Sequence, residues 1–339
     1  MTRLQATAMG GVAILLWSLL AVFTVGTAPV PPLQLNAMCF TLATMVGGVW
    51  LAWTGRWRDL PTVRWTVYVF GTAGLFGYHL FYFTALRLAP AAEAGLIAYL
   101  WPLLIVLFSG LLPGERLRLG HVAGGLIGFA GAALILLQGG AVFSAAALPG
   151  YGFAVLCALT WSGYSVMSRR LGQVPTSSVV VFCALTALLS GGAHLVLEQT
   201  AWPVGTPGWG SVLALGLGPV GVAFFTWDVG VKRGNIQMLG VASYAAPLLS
   251  TFALIAVGVA QANAVLLGAA ALIAGGALVA GDTLFLQGCG RVDLPGGDID
   301  QMYTTLTQRL SSLPGETMLL PGHAYGGHQA TLAQVRRDN

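Results

Sequence analysis

Charge is what this sequence has least of. Only 8% of its 339 residues are Asp, Glu, Lys or Arg, against 56% hydrophobic. A soluble domain carries about 25% charged residues. The deficit excludes a water-bathed globule and makes the lipid bilayer the main solvent. Paired cysteines are missing too. Cys39, Cys157, Cys183 and Cys289 show no regular spacing, so no disulfide framework or zinc site is expected from them. Three lie in apolar runs, where they pack as small hydrophobes. The net charge of +4 is spread over short loops and forms no basic patch, which leaves nucleic acid out as a partner.

What fills the chain instead is apolar runs and 47 glycines, the small residues that let helices pack closely in lipid. A spanning helix needs about 20 mainly apolar residues. Ten segments qualify, at 8–26, 33–53, 64–86, 91–111, 119–138, 150–171, 178–198, 211–231, 237–258 and 264–281. Prolines mark the joins, among them Pro61, Pro90, Pro113, Pro149, Pro175, Pro203 and Pro207. The first run resembles a signal peptide in length, but no clear small-residue cleavage site follows it.

The chain repeats itself. Tyr82 matches Trp227, Arg87 matches Lys232, Tyr99 matches Tyr244 and Pro102 matches Pro247, each 145 positions on. Trp17-Ser18 recurs as Trp161-Ser162, and Gly124 and Gly131 as Gly268 and Gly275, all 144 apart. So constant an offset marks a duplicated unit. Residues 1–141 and 142–281 read as two five-helix halves, and 282–339 as a polar, turn-rich cytoplasmic segment with one amphipathic helical pattern over Ile299–Leu313.

Lys and Arg stay on the cytoplasmic side of a membrane. With the N-terminus inside, the inner loops of the helical region hold ten basic residues and the outer loops hold Arg87 alone. Both ends are therefore expected in the cytoplasm. Five helices is an odd number, so the second half runs upside down relative to the first. The fold class expected is an all-α membrane protein of ten helices in two inverted repeats, the recurrent plan of secondary transporters, with its site between the repeats. Matched loops mostly differ in charge, as inversion requires. The exception is Arg87 against Lys232, basic on both sides.

Aromatic residues carry the candidate site. Tyr78 and Tyr82 share one helix face, with His79 beside them. Tyr99 and Trp101 reach a similar depth on the next helix. Trp17 and Trp161 lie mid-span in the first helix of each half, and Trp227 and Tyr244 supply the counterpart in the second. Two readings stand: a cavity that takes a flat or apolar side chain by stacking and orients its polar end, or an interfacial aromatic belt with ordinary packing. Mid-span depth favours the cavity. His79 is either part of that lining or a neutral imidazole bonded to a neighbouring helix. Pro102 and Pro247 read as paired hinges or as fixed kinks, with Pro219 a further bend. Gly120, Gly124 and Gly128 form a small-residue ladder expected to pack the fifth helix on the tenth. Asp228 and Lys232 are spaced as an interfacial i,i+4 pair, and Glu93 is expected to face water or Arg87. No carboxylate falls at mid-depth, so passive facilitation is the simpler mechanism and no cofactor is implied.

Ten helices in two repeats, Trp-Ser in the first helix of each half, and Ala85-Leu86-Arg87 followed by Tyr-x-x-Pro resemble the drug/metabolite transporter superfamily, its EamA-type branch in particular. The ring-rich cavity is similar to that of the branch's aromatic amino acid exporters. The resemblance covers residues 5–281. It implies a monomeric inner-membrane carrier with a central cavity, opening alternately to each side and exporting neutral amino acids, aromatic ones included. In the second half the Ala-Leu-Arg turn reads Gly230-Val231-Lys232, a departure from the pattern.

The tail resembles something else. Gly281-Asp282-Thr-Leu-Phe, Gly288-Cys-Gly-Arg-Val-Asp293 and Leu320-Pro-Gly-His323 are similar to the end of a glyoxalase II-type, metallo-β-lactamase-fold hydrolase. That resemblance implies metal-ligand roles for Asp282 and His323. The family's upstream His-x-His-x-Asp-His cluster is missing, and two ligands fall short of the three a zinc site generally needs. A transporter is thus expected rather than an enzyme. Its rivals are a membrane-bound hydrolase and a nucleotide-sugar or drug carrier of the same fold.

Overall fold

Each of the first nine apolar segments forms a helix. A computed structural model of the chain describes residues 1–259, apart from 138–139 and 141–142, and beyond them short pieces between 261 and 338. The helices are α1 (Arg3–Ser18), α2 (Leu20–Val25), α3 (Pro32–Thr54), α4 (Trp65–Leu88), α5 (Ala91–Ala98), α6 (Trp101–Ser109), α7 (Leu119–Leu136), α8 (Leu148–Arg170), α9 (Ser178–Leu197), α10 (Gly205–Leu217), α11 (Ala223–Arg233), α12 (Ile236–Ala242) and α13 (Ala245–Ala256). They join into nine spans long and apolar enough to cross a membrane among the described residues. Leu15, Met45, Leu188 and Leu195 point outward, which lipid rather than water accommodates.

The starts of two spans lie further upstream than hydropathy places them. α1 begins at Arg3 because Thr2 and Gln5 form a capping box, which satisfies two orphan donors of the first turn. α10 begins at Gly205 with Pro207 in its first turn, where proline removes only an amide that has no partner in any case.

Three spans are broken. The first is interrupted at Leu19, between α1 and α2. The fourth breaks at Tyr99-Leu100 and the ninth at Ser243-Tyr244, matched places in the two halves. Each break precedes a proline, Pro102 or Pro247, whose nitrogen cannot return a hydrogen bond to the turn before it. The eighth span holds a π-turn over Gly218–Val222, with Pro219 inside it.

Packing follows the same exchange of halves. α1 lies along α11 and α8 along α4, while α3 lies along α9. Trading the halves turns the first contact into the second and the third into itself. α1 and α11 run antiparallel: the Thr7 hydroxyl accepts from the Asn235 amide at 2.8 Å, and the Trp17 indole donates to Pro219 O at 3.1 Å. Between them a Cβ on Gly230 would stand 2.5 Å from Gly10 Cα, so two glycines let the backbones touch. α8 and α11 run parallel, Ser165 meeting Trp227 and Arg169 meeting Val231 and Lys232.

Past residue 259 the expectation and the structure part. The tenth segment, 264–281, lies largely outside the described residues. Its described end, Ala277–Gly281, is a strand, β1, because this short run with a β-branched Val279 finds an extended partner. β1 pairs in parallel with β4 (Met318–Pro321), and β4 antiparallel with β5 (Ala330–Thr331). β2 (Leu284–Phe285) and β3 (Gly288–Cys289) form a hairpin, and α14 spans Leu332–Asp338. The helical pattern over Ile299–Leu313, and both Asp282 and His323, lie largely or wholly outside the described residues.

Candidate functional site

Four tryptophans from four different spans meet at one place. Trp17 comes from α1, Trp101 from the first turn of α6, Trp161 from α8 and Trp227 from α11. All six pairs are in ring contact, with centroids between 5.0 Å for Trp17–Trp227 and 6.4 Å for Trp101–Trp161. Most are edge-to-face or tilted, the arrangements ring quadrupoles favour.

Two indole donors are fixed. Trp17 Nε1 bonds Pro219 O, a carbonyl of the π-turn. Trp227 Nε1 donates to Ser165 Oγ at 3.1 Å. A π-turn leaves carbonyls out of the regular ladder, which is why such turns recur at functional places.

The other sequence-chosen residues join the same network. Tyr78 packs on Trp161 at 5.3 Å and stacks with Tyr82 at 6.2 Å. Tyr99 touches Trp101 at 6.3 Å and Tyr244 at 6.4 Å. His79 lies 5.0 Å from Tyr78, and its Nδ1 is 2.7 Å from Leu75 O, one turn back on its own helix. It meets none of the four indoles directly. All nine residues are therefore one connected set. Trp101, Trp161, Trp227 and Tyr244 are buried, while Trp17, Tyr78, His79, Tyr82 and Tyr99 are half-buried. The Tyr244 hydroxyl accepts from the Leu103 amide at 3.1 Å, a donor that the break at Tyr99-Leu100 sets free.

Sequence reasoning missed Phe224 and Phe40. Phe224 touches Trp17, Trp161 and His79, and Phe40 stacks on Phe224 at 5.4 Å and meets His79 edge to face at 5.2 Å. The signal was there for Phe224, three residues before Trp227 on one helix face. Of the glycine ladder, Gly128 packs on the ninth span, where a Cβ would sit 2.6 Å from the Tyr244 ring; α7 also meets β1, the described end of the tenth segment, whose remainder lies largely outside the described residues.

Charge gathers at the two ends of the bundle. At one, Glu115 is bonded by Arg3, Arg169 and Gln237. Burial alone would raise the Glu115 pKa, but the hydrogen bonds from Gln237 and Arg169 and the charges of Arg169 and Arg3 outweigh it and hold the carboxyl below its usual range. Near that end Lys232, the chain's one lysine, bonds Asp228 Oδ2 at 2.8 Å. The pair is buried rather than interfacial, Asp228 being 1% exposed. At the other end Arg87 bonds Glu198 at 2.5 Å. Glu93 is buried in the first turn of α5 rather than facing water, where a helix N-terminus favours a carboxylate. Among the described residues no cluster of three His, Cys, Asp or Glu is placed to hold a metal.

Comparison with known proteins places this arrangement. An aromatic amino acid exporter, YddG, of Ancylobacter novellus is 54% identical over 284 residues, 83% of this chain and 98% of that one. A crystal structure 52% identical in sequence superposes with a TM-score of 0.77, covering 80% of this chain and 95% of the other. The C-terminal segment is similar to a hydroxyacylglutathione hydrolase of Tolumonas auensis, 56% identical over 50 residues, 15% of this chain and 18% of the hydrolase. The description EamA-like transporter family matches twice, over residues 6–137 and 148–281, and by those two matches the chain belongs to that family.

Proposed function

We propose that this protein is an inner-membrane exporter of neutral amino acids, aromatic ones included, and that the substrate binds against the connected rings. The observation that carries the reading is the meeting of four indoles from both halves beside the half-buried rings of Tyr78, His79, Tyr82 and Tyr99. The half-buried rings form the accessible face and the buried ones back it. A flat side chain stacks there through dispersion and quadrupole contacts, and an ammonium group over an indole face gains about 0.5–2 kcal/mol. The name of the Ancylobacter relative points to the same substrate class.

The transport cycle is alternating access between two inverted five-helix halves. Inversion is supported by helix direction, since α1 runs against α11 while α8 runs with it. Tyr99-Leu100 and Ser243-Tyr244, with Pro102 and Pro247 behind them, are the matched hinges, in the discontinuous helices that recur at transporter sites. A tenth span falls before β1, within residues 264–276 and inside the second family match. Basic residues put both termini in the cytoplasm. Lipid and substrate are the partners, the carrier is a monomer, and no cofactor or catalytic step is involved.

Efflux of tryptophan from proteoliposomes tests this. Trp101→Ala or Tyr99→Ala lowers efflux while the protein still folds. Unchanged efflux discards the site.

A further inference from the structure

Arg87 and Lys232 hold matched places in the two halves, and both are basic although inversion puts them on opposite faces. Their surroundings match as well. Arg87 ends α4 and reaches Glu198, just past the end of α9, at 2.5 Å. Glu198 in turn accepts from the Leu33 and Gln34 amides at the start of α3, each at 3.1 Å, and lies 3.1 Å from His194 Nδ1. Lys232 ends α11 and donates to Val174 O, just before the start of α9, at 2.9 Å. Its partner Asp228 accepts from Thr176 at 2.8 Å, and the neighbouring Ser177 hydroxyl lies 3.5 Å from Asp59, just past the end of α3.

Each cation thus fastens the third span of its half to one end of the α3–α9 pair, and the two use opposite ends. The α3–α9 pair is the contact that exchange of the halves leaves unchanged, so it serves as the common frame. We propose that Arg87 and Lys232 are the two locks of the transport cycle, each holding its own end of the bundle closed, so that release of one opens that end. This rests on the alternating-access reading. It also explains why the charge asymmetry of the loops fails at this pair alone: a lock is needed at both ends. Neither residue touches the ring cluster; both act by positioning α4 and α11, which carry Tyr78 and Trp227.

The locks are unequal. The Glu198 carboxylate receives Arg87, two amides and the His194 ring. Asp228 Oδ1 has no hydrogen-bond partner among the described residues, and Asp228 lines a cavity of about 10 Å³. A buried carboxylate with an open lone pair is the weaker fastening, so the Lys232 end releases more readily.

Side-specific labelling tests the proposal. Cys39, Cys157, Cys183 and Cys289 are replaced by Ala, and one cysteine is placed at Leu104, half-buried on α6 one turn after Trp101. A membrane-impermeant maleimide is applied to right-side-out and inverted vesicles. R87M raises labelling from the Arg87 face about fivefold or more, the low end of coupling between linked sites, and lowers it from the other face. K232M does the reverse, with a smaller change. E198Q follows R87M and D228N follows K232M, so they carry the test if a cation variant misfolds. R87K and K232R return towards the parent. Changes of the same sign from both faces, or none in folded protein, overturn the locks. Tryptophan counterflow is measured on the same vesicles. Counterflow without reciprocal labelling sinks the locks alone; reciprocal labelling without counterflow in the parent sinks the exporter reading and leaves the locks standing.

Discussion

Trp17 and Trp161 are the same residue of a duplicated unit, and their rings stand 5.7 Å apart at an interplanar angle of 75°. Tyr99 and Tyr244, another matched pair, stand 6.4 Å apart. Equivalent positions of two copies meet only near the axis that relates the copies. The axis therefore runs through the aromatic set, and a substrate bound there, as proposed, would contact both halves at once.

Trp161 is the residue on which this cluster depends most. It is 3% exposed and touches the other three indoles, Tyr78 and Phe224. Trp161→Ala should cost about 3–5 kcal/mol, as for other large core deletions, and abolish tryptophan efflux. Trp161→Phe should keep the fold and part of the flux. Thermal melts of both variants in detergent, beside efflux, check this. An unshifted melt for the alanine variant contradicts it.

Tyr244 joins the fourth and ninth spans, the matched broken pair, one by its hydroxyl on Leu103 N and the other by its place in the chain. Tyr244→Phe leaves that amide unbonded, at about 0.5–1.5 kcal/mol. Gly128→Ala pushes on the same ring and should cost about 1–3 kcal/mol as an overpacked contact. Because both act on one ring, the double variant should lose less than the sum of the two. Unfolding of the four proteins under one condition gives the coupling directly, and strict additivity would separate the two sites.

Much of this was legible in order. Residue-level hydropathy finds the nine described spans, and the constant offset finds the halves and the matched prolines Pro102 and Pro247, though not the helix breaks at Tyr99-Leu100 and Ser243-Tyr244 that precede them. The nine ring residues fall together because aromatics at mid-span depth have few other places to go. The polar ends were not legible. Arg87 and Glu198 are 111 residues apart, and Arg169 and Glu115 are 54 apart, and no local spacing announces either pairing. The π-turn at Gly218–Val222 looks like a plain proline bend in the sequence. Asp228 and Lys232 have the spacing of a surface pair, and only the packing of α4, α8, α9 and the α8–α9 loop around them makes them buried.

Glu115 gives stability a pH dependence. Its carboxyl is held below the ordinary value of 4.5, so the charged form is favoured in the folded protein. A depressed folded pKa contributes stability above the unfolded value, lost as pH falls through the folded one. Glu115→Gln should melt lower than the parent at pH 7, and the two curves should converge as acid protonates the carboxyl in the folded protein, below the ordinary value of 4.5. A gap that persists into acid would mean the residue acts through packing instead.

The tail yields the last prediction. The family match ends at residue 281, and the hydrolase-like piece spans 18% of its relative. The resemblance implies a metal held partly by an upstream His-x-His-x-Asp-His cluster, which this chain does not contain. Asp282 and His323 alone fall short of the three protein ligands a zinc site generally needs. Purified protein should therefore carry far less than one zinc per chain, and ending the chain after residue 281 should leave tryptophan efflux at the parent's level. The two measurements separate two roles. Stoichiometric zinc would make the tail a metal domain in its own right. Lost efflux in the shortened chain, with a normal melt, would instead make the pairing of β1 with β4 a working part of the carrier.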